Sequence, residues 1–294
     1  MSDAKASKTG KRYVTGEAPH WRAALTSSEY QWQAVLSLVP AWLLYLLTDR
    51  QRAFWILAVS LCCALAVAYL SARSFGRKSC FSDGSAVLTA MLFAYASQWM
   101  PRPVSAAGAA WSMFFALLVA KDCFGGWGQN IFHPALIGVA ALAAFEKDGS
   151  VARAAQSGIQ EGAFVLRSAV IAAGGIYLVV KRGISWRPLV SFMICILAVS
   201  FISVRLQAQL RWWDPVVLFG AIYFVSDGPT SPIAPWAKVC YGFLCGLLAA
   251  LLLVWGSLFE ALSCAVLTMN AVTPLLDRYL RLGLLRARPR SILE

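Results

Sequence analysis

The chain reads as a succession of continuous apolar runs separated by short polar and charged stretches. A bilayer core takes about 20 apolar helical residues. By that measure ten runs are candidate spans: 31–48, 53–72, 84–100, 104–120, 130–145, 164–180, 188–204, 212–226, 237–255 and 258–276. The runs at 130–145 and 212–226 are short, and each is interrupted by a proline, Pro134 and Pro215. A membrane β-barrel needs segments of about ten residues with alternating polarity, whereas these runs are apolar on every face. The pattern predicts an all-α polytopic membrane protein of about ten helices. It divides into a polar tail (1–30), a membrane domain (31–279) and a basic tail (280–294).

Composition supports this reading. Apolar residues make up 59% of the chain and charged residues 14%, against the ~25% charged residues of soluble domains. Mean hydropathy is +0.64. The net charge of +12 does not point to nucleic acid, because the basic residues flank the apolar spans and gather in the tails. Lipid is the expected surroundings. With both termini on the cytoplasmic side, eighteen Lys and Arg fall on that side and eight on the other, the bias expected of cytoplasmic loops. Residues 1–30 contain no apolar stretch of the kind a cleaved signal carries, so the tail is expected to be retained. Asn130-Ile-Phe-His-Pro134 is echoed by Asn270-Ala-Val-Thr-Pro274. The echo suggests two inverted five-helix halves, about 31–145 and 164–279, with proline-broken helices around a polar site.

The motifs of nucleophilic hydrolases, zinc peptidases and P-loop proteins do not occur, and no metal site is predicted. The most unusual stretch is 121–135, KDCFGGWGQNIFHPA. Gly125, Gly126 and Gly128 allow turns that other residues resist, and Gln129 and Asn130 add amides at the mouth of a helix. Such a bend suits a planar ligand or an ion, although it also suits a simple tight reversal. Asp83, Asp122 and Asp227 end spans on the same side and are candidates for an ion path through one vestibule. Gly242 and Gly246 read as a close helix contact.

Five stretches in order, DGSAVLTAML (83–92), AKDCFGGWGQNIFHPALIG (120–138), ISWRPLVSF (184–192), SDGPTSPIAPWAKVCYGFLCGLL (226–248) and MNAVTPLLDRY (269–279), resemble the RnfD proteins of Rnf electron-transport complexes. That family is related to the NqrB proteins of the sodium-translocating NADH:quinone reductase. The resemblance implies a ten-helix, internally repeated protein of the bacterial inner membrane. Such a protein holds flavin (FMN or riboflavin), passes electrons, and works with the other subunits of an Rnf-type complex that moves Na+ or H+. The same resemblance makes Gly125, Gly126, Gly128, Gln129 and Asn130 the candidate flavin or electron-path bend.

The family's covalent FMN sits on the last Thr of a D-x-x-[ST]-G-A-T motif between spans five and six. Residues 146–163 contain no threonine. Depending on the alignment, Ala154 or Gln160 stands at the acceptor position, and neither has a hydroxyl. His133 stands where the family usually has Asn. Covalent FMN is therefore expected to be absent, and any flavin is expected to be non-covalent. The alternatives are a cofactor-free scaffold or ion-path member of the same complex, or a small-solute permease or channel of related fold.

Overall fold

A computed structural model describes residues 26–76, 83–100, 104–126, 128–145, 161–202 and 210–286. Among them lie ten α-helices: α1 (Ser27–Thr48), α2 (Arg50–Ser74), α3 (Ser85–Ala96), α4 (Ala106–Phe114), α5 (Pro134–Phe145), α6 (Glu161–Val180), α7 (Trp186–Ile202), α8 (Pro215–Phe219), α9 (Pro235–Leu252) and α10 (Leu258–Arg286). The chain is an all-α polytopic membrane protein, and each predicted run contains one helix. Six helices are long and apolar enough to cross a membrane: α1, α2, α4 with its continuation to Phe124, α6, α9 and α10. The others are shorter. The twelve residues of α3 and of α5 each give about 18 Å of helix, little more than half of a ~30 Å hydrocarbon core.

The breaks have local causes. Pro134 opens α5 and Pro215 opens α8, where the missing N–H costs nothing. Thr26 caps α1 in a reciprocal pair with Glu29, and Asp214 caps α8 through the Val216 N–H at 2.8 Å. Both α4 and α8 end in a π turn, Phe115–Val119 and Gly220–Val225, a geometry that recurs at functional sites.

The first five helices pack largely among themselves, with α2 against α3 and α4, and α4 against α5. A second group forms where α9 packs on α7 and α10. Helix α6 joins the groups by contacting α1 and α8. The α7–α9 contact depends on Gly246, where a Cβ would sit 2.9 Å from the Cys195 Cβ, and on Gly242, where it would strike Pro188 and Ser191. The Gly242/Gly246 pair is thus the close contact that its spacing suggested.

The two N-x-x-x-P segments do not occupy equivalent places. Pro134 is the first residue of its helix, whereas Pro274 lies inside α10. The segments meet instead. With its amide oriented to satisfy both ends, Asn270 accepts the His133 backbone N–H at 3.1 Å and donates to the Tyr241 hydroxyl at 2.6 Å. The two segments are thus in contact across one end of the bundle.

Candidate functional site

The start of α3, the start of α5 and the end of α8 converge beside the first turns of α1. They enclose a cavity of about 50 Å3. Its polar lining is Tyr30, Ser85, Thr89, Lys121, Asn130, His133, Tyr223 and Asp227. That volume holds a few water molecules at the ~10–15 Å3 each requires. It is far below the ~300–1,000 Å3 of sites for drug-sized ligands.

Asp227 follows the π turn of α8. Its carboxylate accepts from the Tyr30 hydroxyl at 3.3 Å and the Thr230 hydroxyl at 2.9 Å. Burial pushes the carboxyl above the usual carboxylate range, and the neighbouring His133 and the hydroxyl donors oppose that push. Lys121 is buried at 4% exposure, and its ammonium donates to the Ser85 hydroxyl. Ser85 in turn donates to Asp83 at 2.9 Å, and its backbone N–H does so at 3.0 Å. The sequence thus opens α3 with an acid that reaches Lys121 through one hydroxyl.

His133 is also 4% exposed. Its ring packs edge-on against Phe224, with centroids 5.0 Å apart. One ring nitrogen faces the Tyr223 backbone carbonyl, a carbonyl that the end of a helix leaves without an intrahelical partner. The other, Nδ1, is buried with no partner among the described residues.

The three acids have different surroundings. Asp227 lines the cavity, and Asp83 reaches its wall through Ser85. Asp122 faces elsewhere: it is buried and accepts from Ser71 on α2 at 2.5 Å. They share one end of the bundle but not one vestibule.

The glycine bend divides in the same way. Gly125, Gly126 and Gly128 have φ of 114°, 102° and 87°, the left-handed region that favours glycine. The turn is closed by the Gly125 N–H to the Asp122 carbonyl and the Gly126 N–H to the Lys121 carbonyl, both at 3.1 Å. Asn130 is buried and lines the cavity, with its Oδ1 accepting from the Gly128 N–H at 3.2 Å. Gly125, Gly128 and Gln129 are exposed. Among the described residues beyond its chain neighbours, a Cβ at Gly128 would meet nothing within 4 Å, which leaves this backbone open to them. It lies between the exposed side chains of Phe124 and Ile131.

Sequence reasoning missed Tyr30, Ser85, Thr89, Lys121, His133 and Asn270 as parts of one site. Lys121 counted only as a topological charge. The signal available was a lysine and a histidine at the ends of otherwise apolar runs. The candidate acceptor positions Ala154 and Gln160 lie outside the described residues, as do both tails up to residue 25 and from 287.

The chain belongs to the NQR2, RnfD, RnfE family, whose model matches residues 14–148 and 152–283. Similar curated proteins include a subunit of the proton-translocating ferredoxin:NAD(+) oxidoreductase complex of Clostridium ljungdahlii, 25% identical over 91% of this chain and 94% of that protein. The corresponding subunit of the Na(+)-translocating ferredoxin:NAD(+) oxidoreductase complex of Acetobacterium woodii is 24% identical over 90% and 93%. That of the ion-translocating oxidoreductase complex of Stutzerimonas stutzeri is 27% identical over 84% and 88%.

Proposed function

From the family and from the charged cavity among broken helices, we infer that this chain is the membrane subunit of an Rnf-type ion-translocating oxidoreductase complex. It acts with the other subunits of that complex and couples electron transfer to the movement of Na+ or H+. The observation that carries this reading is the cavity. A carboxylate, an ammonium and an imidazole at helix breaks inside an apolar bundle are costly, and such groups mark ion paths. Asp227 is the central ion-path residue in this reading. Asp83 holds Lys121 in place, and Asp122 ties the glycine bend to α2. The cavity end faces the cytoplasm in this reading, since Lys181, Arg182, Arg187 and Lys238 lie at the ends of the helices that reach it.

The outer face of the bend fits a flavin better than the cavity does, because the cavity is too small for a fused ring system. Gly125, Gly128 and Gln129 would offer backbone and amide groups to the planar ring, with Phe124 and Ile131 as apolar flanks. A flavin bound there would supply one- and two-electron chemistry. The residues themselves would hold and orient the ring. The flavin is non-covalent in this reading, because no threonine occurs at the expected acceptor.

Two measurements test the proposal. Asp227→Asn in the assembled complex is expected to lower ion translocation about 10–100-fold, equivalent to about 1.4–2.7 kcal/mol, with subunit content unchanged. Unaltered translocation would remove the cavity from the ion path. Separately, denaturing the purified complex is expected to release any flavin held by this chain. A fluorescent band at the chain's mass, with FMN mapped to residues 146–163, would overturn the non-covalent reading.

A further inference from the structure

Relatives of the chain include members of a proton-translocating and of a sodium-translocating complex at nearly equal similarity, so likeness does not select the ion. The cavity does. Each side-chain oxygen that lines it already has a protein partner. The Tyr30 hydroxyl is given to Asp227, and both Asp227 oxygens accept hydroxyl protons. Ser85 is held between Lys121 and Asp83. Thr89 donates to the Ser85 carbonyl at 2.8 Å. Asn130 accepts from the Gly128 N–H, and Tyr223 pairs with Ser37 at 3.0 Å.

A hard metal cation needs several oxygens free to replace its water. Here the hydroxyls and the carboxylate are already oriented by bonds to protein, and a cation would face the Lys121 ammonium across a space of about 50 Å3. Among the described residues, the one polar side-chain atom of the lining without a partner is a nitrogen, His133 Nδ1. The Tyr223 carbonyl on the other side of the ring sets the proton on Nε2. Nδ1 is thereby left as a lone pair, the tautomer that accepts a proton.

We infer that the ion taken up at this cavity is a proton, held at His133 Nδ1 and exchanged with the Asp227 carboxylate through water. The inference rests on the reading of the cavity as part of the ion path and names the ion that path carries. A proton arriving through water adds to Nδ1 and gives an imidazolium opposite the Asp227 carboxylate. Its departure restores the neutral ring, so charge and atoms balance without a co-reactant. The other titratable groups around the ring are Tyr30 from α1, Lys121 from the turn after α4, with Asp83 behind Ser85, and Tyr223 from α8. Tyr241 of α9 is reached through Asn270. Among the described residues no metal-holding group of three or more His, Cys, Asp or Glu side chains occurs.

The chain has two histidines, His20 and His133, which makes the test selective. A His20→Gln chain, labelled with 15N-histidine and assembled in its complex, reports His133 alone by solid-state NMR. The expected spectrum shows a neutral ring protonated on Nε2 at high pH, which takes up a second proton as the pH falls through the range in which the complex stays assembled. Asp227→Asn is expected to move that uptake to lower pH, because it removes the facing negative charge. Exchanging K+ for Na+ is expected to leave the spectrum unchanged. A Na+-dependent displacement of the signal, or a ring that keeps one protonation state across the range, would overturn the inference. Proteoliposome transport separates the two readings. If Asp227→Asn abolishes 22Na+ uptake and Na+ also moves the signal, the cavity is an ion path for a metal cation, and only the proton inference fails. If Asp227→Asn leaves all ion transport unchanged, the functional reading itself fails.

Discussion

The two ends of the helical core differ in what fills them. At one end α1, α3, α5 and α8 enclose polar groups and about 50 Å3 of space. At the other, α1, α3 and α8 close on aromatic rings. Tyr95 stacks on Phe219 at 5.0 Å and meets Trp99 edge-on at 5.3 Å and Trp42 at 5.6 Å. Phe219 also touches Tyr223, at 4.9 Å, so the rings run from the aromatic end to the cavity wall. Apolar helices have no hydrophobic drive to associate within lipid, and close packing must hold them together. The aromatic end supplies that packing, and the polar end carries the groups that cost stability. One end is built to hold the bundle; the other carries the polar groups proposed for the ion path.

That division predicts opposite mutational signatures, and the largest effect belongs to the packed end. Tyr95 is 1% exposed and contacts four other rings. Tyr95→Ala is expected to cost about 3–5 kcal/mol, the range for truncating a buried aromatic, read as a lower midpoint of thermal aggregation in detergent. If the variant keeps full stability but loses ion translocation, the aromatic end is part of the path and the division is wrong.

The glycine bend sharpens the comparison, because it sits at the cavity end yet is built from backbone angles that glycine takes readily and other residues resist. Gly126 has a φ of 102°, which a β-branched residue resists. Gly126→Val is expected to cost about 1–3 kcal/mol locally. It should lower coupled turnover more than it lowers assembly, measured as activity per assembled complex. Normal turnover in an assembled variant would reduce the bend to a connector.

Much of this was legible in the sequence, and the limits have physical causes. Ten apolar runs gave ten helices because hydropathy alone decides what enters lipid. The bend at 125–128 was legible because glycine clusters signal unusual backbone. The three acids were recognised, but their shared side of the membrane did not bring them into one space: Asp122 turns to Ser71 on α2. Which end residue faces a neighbour depends on helix rotation, and runs that are apolar all round carry no periodicity to fix it. Lys121 shows the same limit. A basic residue after an apolar run reads as a headgroup anchor, and only packing turned it inward to Ser85. Asn270 looked like half of a repeat because its sequence context matched Asn130, yet its role comes from contact with the His133 N–H across 137 positions of chain.

The smallest effect is expected at Asp214, which begins α8 at the aromatic end and lies before the helix proper. It performs the same local task as Asp83, since each accepts a backbone N–H two residues ahead, at 2.8 Å and 3.0 Å. Asp83 is further tied to Lys121 through Ser85. Asp214 has the nearby Arg211 charge instead. Asp214→Asn keeps an oxygen for the Val216 N–H and loses only the charge. It is expected to match the parent's stability within about 1 kcal/mol and to leave ion translocation unchanged. Thermal midpoints of the two proteins at pH 7 check this. A variant that is less stable at pH 7 would mean that the Asp214 charge is paired in the assembled complex. The aromatic end would then carry a second working charge, and the contrast between the two ends would be one of degree.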